Sequence, residues 1–233
     1  IILCSIKSVY SQITTKNEIK LEINIEEKIL FVNQKIILKN LYLNHKDTLY
    51  LSDWSNSYSS VNTPLAQRFG EEYDRSFFLS KKSKLGFTKI TSIKKDGEYL
   101  DWKRINDQQD ILMVFLDEDL FDKKIIELNL DYEIKIPDSK FNSYGYYQDE
   151  RIFLRNWHIG LCPFIDGKWK KYSNLDLDDQ SLLASDYSLE VNKVKNHIIH
   201  VNLKKFENDK LIFFGKDQRD LILSVSKKPI LKK

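Results

Sequence analysis

Apolar and polar residues alternate with a period of two along much of this chain. Ile19, Leu21, Ile23 and Ile25 are apolar while Lys20, Glu22, Asn24 and Glu26 between them are polar. The longest such run sets Ile126, Leu128, Leu130, Tyr132, Ile134 and Ile136 against Glu127, Asn129, Asp131, Glu133 and Lys135. Successive side chains on a strand point to opposite faces, so these runs predict strands with one face on a core and one in water. Shorter versions occur at Tyr187/Leu189/Val191, Ile199/Val201/Leu203 and Leu221/Leu223/Val225. Ile111 to Leu116 is apolar throughout, which predicts a strand covered on both faces. Lys95-Asp96-Gly97-Glu98 predicts a hairpin, because Asp-Gly supplies the positive φ that a type I′ turn demands.

One helix interrupts the alternation. Thr63 caps it, Pro64 suits its first turn, and Leu65, Phe69, Tyr73 and Phe77 recur every four residues. Gly70 weakens it by about 1 kcal/mol relative to Ala. The expected fold is all-β: an antiparallel sandwich or saddle of about ten strands with one short helix near residues 63–78. It occupies one domain over residues 13–228.

Composition narrows the functional classes. A chain of 233 residues that is 42% hydrophobic and 30% charged, with 4 Trp, 12 Tyr and 13 Phe, can bury a sizeable core. No apolar run approaches the roughly 18–20 residues needed to span a bilayer as a helix. Only 7 Gly are present, and neither Gly-rich phosphate-binding pattern occurs. The net charge of +3 comes from 31 Lys and 6 Arg, and no basic run is interleaved with aromatics. Nucleic-acid recognition favours Arg, so this balance argues against such a partner.

The ends read as processing segments. Ile1-Ile2-Leu3-Cys4-Ser5-Ile6 resembles the tail of a secretory h-region, and Val9-Tyr10-Ser11 puts small residues where a signal peptidase cuts. Residues 1–11 are therefore expected to be a leader remnant, implying export. Residues 229–233 read as the start of a linker. Without the leader, Cys162 is the single cysteine, and it suits a small buried hydrophobe.

Candidate chemistry is sparse. His197 and His200 have H-x-x-H spacing, but residues three apart on a strand face opposite sides and cannot share an ion. His45 belongs to a polar turn, and H-E-x-x-H is absent. Asp176-Leu177-Asp178-Asp179 lacks the Gly turn and spacing of a calcium loop and reads as a solvated loop. Cys162 and His158 are the one close Cys–His pair, and no G-x-S-x-G is present. The aromatic stretch from Tyr144 to Tyr172 is expected to fill the core through Trp157 and Trp169, with residues 139–150 an exposed loop.

Several segments in this order resemble the N-terminal β domain of the zinc aminopeptidases related to aminopeptidase N. These are Asp53-Trp54-Ser55-Asn56-Ser57-Tyr58 with Asn62-Thr63-Pro64-Leu65-Ala66, the hairpin from Gly86 to Trp102, and Leu116-x-x-x-Leu120 with the long strand ending Ile136-Pro137. Arg155-Asn156-Trp157, Trp169, Tyr172-Ser173-Asn174 and Asp186-Tyr187-Ser188-Leu189 complete the likeness. The family's Gly-x-Met-Glu-Asn signature is absent, since Val114 and Phe115 follow Met113. The resemblance implies a non-catalytic domain of an exported metallopeptidase, with zinc, its ligands and the catalytic Glu in a following helical domain. No catalytic or metal-ligating residue is therefore expected in this chain. The partners implied are that catalytic domain and a peptide substrate, with Arg155, Asn156 and Trp157 as the approximate substrate-proximal region. The alternative is a β-sandwich module that binds carbohydrate or a cell-surface ligand through exposed aromatics.

Overall fold

A computed structural model of the chain describes residues 13–39, 48–116, 125–177, 182–206 and 211–227. Residues 1–11 and 229–233, His45, Leu120, Asp178 and Asp179 lie outside the described residues. The first half runs β1 (Thr14–Asn24), β2 (Ile29–Lys39), β3 (Thr48–Ser52), a 3₁₀ turn at Trp54–Tyr58, α1 (Pro64–Glu71) and a second 3₁₀ turn at Lys82–Lys84. It continues through β4 (Phe87–Lys95), β5 (Glu98–Tyr99), β6 (Trp102–Ile105), β7 (Gln108–Phe115) and β8 (Ile125–Lys135). The second half holds β9 (Gly145–Tyr146), β10 (Ile152–Arg155), β11 (Gly160–Leu161), β12 (Phe164–Ile165) and β13 (Lys168–Trp169). It closes with β14 (Ser185–Val191), β15 (Ile198–Val201), β16 (Lys204–Lys205), β17 (Ile212–Gln218) and β18 (Ile222–Ser226).

An eight-stranded sheet, ordered β16-β17-β14-β1-β2-β8-β4-β5, forms one layer. Two four-stranded sheets, β15-β18-β10-β9 and β11-β3-β7-β6, share its core, and β12-β13 is a small separate hairpin. Alternation sets the register: Ile23, Leu30 and Ile134 lie in one row across β1, β2 and β8, and Leu21, Val32 and Tyr132 in the next. Each of these side chains is buried, a gain of about 1.5–3 kcal/mol for a fully buried large apolar side chain. At the middle of this core Gln34 donates to Asn17 Oδ1 (2.8 Å) and to the Ile159 carbonyl (2.7 Å). Tyr132 Oη donates to Gln34 Oε1 and accepts from the Ile159 amide, so a satisfied polar link joins the two layers.

The all-β expectation holds, with three differences in detail. Short paired segments raise the strand number above ten: β5, β9, β12, β13 and β16 pair with a sequence neighbour, and β11 pairs with the distant β3, none of them spanning the sheet. The β1–β14 pair is parallel: β14 joins β1 only after the chain has built the β11-β3-β7-β6 sheet and the β9–β10 pair, a long crossover that a hairpin cannot make. The apolar run in β7 is covered unevenly: Ile111, Leu112 and Val114 are fully buried, while Met113 and Phe115 are half-buried.

The Asp96-Gly97 turn forms with φ of 51° and 91°, as the sequence required. The helix, however, stops at Glu71 rather than running to residue 78. Tyr73 takes φ of 64°, its N–H donates to the Gly70 carbonyl and that of Asp74 to the Phe69 carbonyl, a Schellman stop. Tyr73 is thereby left 94% exposed, and Phe77 reaches the interior from a separate turn. There it joins Tyr58, Leu65, Phe69 and Phe141 in a second, smaller core. Residues 139–150 are accordingly not a simple exposed loop: Phe141 is buried, and Tyr144 stacks on Tyr58 with ring centroids 4.9 Å apart. Gly145, at φ of 127°, lets this loop press onto the Pro137 carbonyl where any Cβ would collide.

Candidate functional site

The second core closes one end of the sandwich, and buried polar groups link it to the sheets. Asp53, fully buried, accepts from Thr88 Oγ1 (2.7 Å) and from Arg104 Nη2 (2.8 Å), and its amide donates to the Asp110 carbonyl. Arg104 also donates to the carbonyls of Gln109 and Thr88, which fixes the guanidinium between β4 and β7. Asp110, also fully buried, accepts from Ser173 Oγ (2.9 Å) and the Asn174 amide (2.7 Å). Burial outweighs those hydrogen bonds and pushes the Asp110 carboxyl up to about 6.

The 3₁₀ turn carries the next links, and every residue in it is buried. Ser55 Oγ donates to the Trp157 carbonyl (2.9 Å) and lies 3.0 Å from Tyr144 Oη. Asn174 Nδ2 donates to Ser57 Oγ, and Thr63, the cap of α1, donates to the Ser57 carbonyl. Positions scattered from 53 to 174 in sequence thus meet in one polar knot.

Beside the knot opens a cleft of about 170 Å³, its walls formed by Trp54, Tyr144, Phe153, Arg155, Asp176 and Leu177. Phe153 and Arg155 reach it together because residues two apart on β10 share a face, while Ile152 and Leu154 point to the core. Arg155 Nη2 contacts both carboxylate oxygens of Asp220, at 3.1 and 3.2 Å. Asn142 Nδ2 donates to Asp176 Oδ1 at 2.7 Å.

The three residues expected near substrate therefore part company. Arg155 lines the cleft. Asn156, with φ of 50°, is buried, and its backbone and side chain clamp Leu221 through N–H···O bonds of 2.9 and 3.0 Å. Trp157 is fully buried in the main core.

The other sequence candidates have structural surroundings. Cys162 is buried, and desolvation raises its thiol to about 12, outside the range of a ready nucleophile. His158 is buried, its Nε2 3.0 Å from Tyr187 Oη, and desolvation lowers it to about 4. His200 is exposed, whereas the His197 side chain is buried with Nδ1 donating to the Lys195 carbonyl, so the two face opposite sides. Among the described residues no three His, Cys, Asp or Glu side chains are grouped to hold a metal ion. No helix among them is long and apolar enough to cross a membrane. The aromatics that could have made a sugar-binding platform are largely turned inward. Trp157 is buried, Trp169 packs between Tyr50 and Phe164, and Tyr58 and Tyr144 stack on each other.

Sequence reasoning missed the knot itself. Its one local signal is Asp110 directly ahead of the apolar run, a charge where only a partnered carboxylate can be buried.

No family model matches the chain, and no curated protein matches it. Among solved structures it is similar to yeast leukotriene A4 hydrolase in complex with bestatin, at 12% identity and a TM-score of 0.46 over 94% of this chain. The native leukotriene A4 hydrolase of Saccharomyces cerevisiae gives 11% identity and a TM-score of 0.44 over 94% of this chain. In both cases the match spans 29% of the enzyme's own length.

Proposed function

We propose that this chain is the non-catalytic N-terminal β domain of an exported zinc metallopeptidase related to aminopeptidase N. It packs on a catalytic domain of the same protein and walls one side of a peptide cleft. The observation that supports this reading is the convergence of the resembling segments. Asp53–Tyr58, the start of α1, Arg155–Trp157 and Tyr172–Asn174 are distant in sequence and are knit into the same end of the sandwich. A domain that spends its buried polar groups on fixing one end rigidly is suited to present that end to a partner. Zinc and the Glu that activates water belong, on this reading, to the catalytic domain, and Arg155 is the substrate-proximal residue with access to solvent.

The test joins this chain to the domain encoded after Lys233. The joined protein is expected to hold one zinc and to release N-terminal residues from aminoacyl amides in a chelator-sensitive way. The 233-residue chain alone is expected to hold far less than one zinc after dialysis and to match a blank. Chelator-sensitive turnover by this chain alone would overturn the reading, as would a further β module in place of a helical zinc domain. N-terminal sequencing of the exported protein, expected to begin at Gln12, checks the leader.

A further inference from the structure

Exposed apolar side chains are not spread evenly over the molecule. Tyr73, at 94%, and Leu79, at 80%, are the most exposed large hydrophobic residues among those described, and Phe78 is 52% exposed. Past the end of α1 the chain winds through tight turns: the Leu79 amide donates to the Arg75 carbonyl and the Ser80 amide to the Phe77 carbonyl. Phe77 enters the second core, while Phe78 and Leu79 beside it face outward. The Phe78 ring lies over Gly70, close enough that an added Cβ would touch it at 3.4 Å. Tyr73 is tied to the same glycine through its amide, so the three apolar side chains share one corner.

Positive charge follows these residues directly. Lys81 and Lys82 are exposed at the next turn, and Arg75 is exposed ahead of Phe77. The stretch from residue 75 to residue 89 holds Arg75, Lys81, Lys82, Lys84 and Lys89 and no acidic residue. Lys84 pairs with Asp138 and Lys89 with Glu133, whereas Arg75, Lys81 and Lys82 meet no carboxylate among the described residues. On the helix side Arg68 answers Glu71 and Glu72, at 3.5 and 2.7 Å, and Asp74 accepts from the Ser76 amide. Three unpaired cations thus stand against Asp74 alone.

The combination selects the partner. Protein hot spots sit in packed pockets, and side chains standing 80% and 94% clear of their own surface form none. A polyanion would meet the lysines and gain nothing from Leu79. A bilayer surface takes both: apolar tips enter the interfacial layer, tyrosine settles at headgroup level, and cations meet anionic headgroups. The long lysine stems allow the charges to stay at the headgroups while the tips go deeper.

We propose that this corner is a membrane-surface site. Phe78 and Leu79 insert among the headgroups of an anionic bilayer, and Arg75, Lys81 and Lys82 bind the lipid phosphates around them. The contact is reversible, since so small an apolar insertion needs the added charge to hold. It does not depend on the peptidase reading, which turns on zinc and turnover, so each fails separately.

The test is cosedimentation of the 233-residue chain with vesicles of phosphatidylcholine alone or mixed equally with phosphatidylglycerol. Binding to the mixed vesicles is expected, at least about tenfold weaker on phosphatidylcholine alone and declining with added salt. Phe78→Ser with Leu79→Ser should weaken it at least about tenfold, because only the charges remain. Lys81→Gln with Lys82→Gln should weaken it about tenfold or more, each cation contributing about fivefold. Lys204→Gln with Lys205→Gln removes the same charge from exposed β16, beside the 69% exposed Phe206, and should leave binding unchanged. Unaltered thermal unfolding verifies the fold of each variant. The proposal is overturned by no binding to the mixed vesicles, or by an equal loss in the Lys204 and Lys205 variant. Full binding by the Phe78 and Leu79 variant also overturns it, in favour of a general polyanion contact. Self-association through Phe78 and Leu79 without vesicle binding overturns it in favour of a second copy of the chain.

Discussion

The eight-stranded sheet and the knotted end of the sandwich are stabilised in opposite ways. In the sheet, β1, β2 and β8 repeat the same apolar row again and again, and the neighbours of any one side chain are near copies of each other. At the knotted end each group has an individual partner: Asp53 with Arg104 and Thr88, Asp110 with Ser173 and Asn174, Ser57 with Asn174. A repetitive apolar face tolerates change, because burial is non-directional and area-proportional. A buried polar cluster does not, because removing one partner strands another in a low-dielectric interior. The candidate cleft sits on the exacting region, where position is held most tightly.

The largest effect expected is from Asp53→Ala, which leaves Arg104 with a side chain only 16% exposed and no carboxylate. Breaking a buried pair in this way costs about 3–5 kcal/mol, measured by urea unfolding. Arg104→Met together with Asp53→Ala should recover part of that loss. If the double variant is no better than the single one, the pairing account of this end fails.

Leu128→Ala removes a fully buried side chain from the middle of the sheet. It should cost about 2–4 kcal/mol and leave the Arg155 cleft unchanged by NMR. A loss matching Asp53→Ala, accompanied by shifts across the cleft, would erase the contrast between the two regions.

Asp110 ties the knot to pH. Its folded-state value near 6, raised by burial above the ordinary 3.8, means that the folded chain binds a proton more readily than the unfolded chain. Its contribution to stability is thus fully present below about pH 4 and is lost as pH rises to about 6, a change of about 3 kcal/mol at most. Asp110→Asn should lack that slope, so the stability difference between variant and parent in urea unfolding should change between pH 4 and 7. A difference that does not vary with pH would mean that Asp110 titrates normally.

The smallest effect belongs to Tyr73, whose left-handed backbone and exposed side chain end the helix outside both regions. Tyr73→Gly should stabilise by about 0.5–1 kcal/mol in thermal unfolding, because glycine adopts that conformation without strain. Destabilisation instead would show that the tyrosine ring has a packing role at this site.

Much of the sheet layer was legible in the sequence and little of the knot was. Periodicity located β1, β2 and β8 because strand geometry forces period two wherever one face is buried. The Asp96-Gly97 turn was legible for the same local reason, positive φ at adjacent residues. The helix was overextended because Phe77 keeps the four-residue spacing, although a Schellman stop had already turned the chain at Tyr73. The loop at 139–150 looked exposed because its polar residues gave no hint that Phe141 and Tyr144 meet Tyr58. The resemblance pointed to Arg155, Asn156 and Trp157 as a group, yet one residue of strand or turn between neighbours sends them to a cleft, a strand end and the core.

Local rules of backbone and burial thus let the sequence by itself determine strand positions, the face each strand buries, the hairpin and the start of the helix. Tertiary structure alone decided the parallel return of β14 beside β1, the meeting of Asp53 with Arg104, and the access of Arg155 to a cleft. Those outcomes depend on which distant segments share a low-dielectric interior, and period and composition carry no record of that.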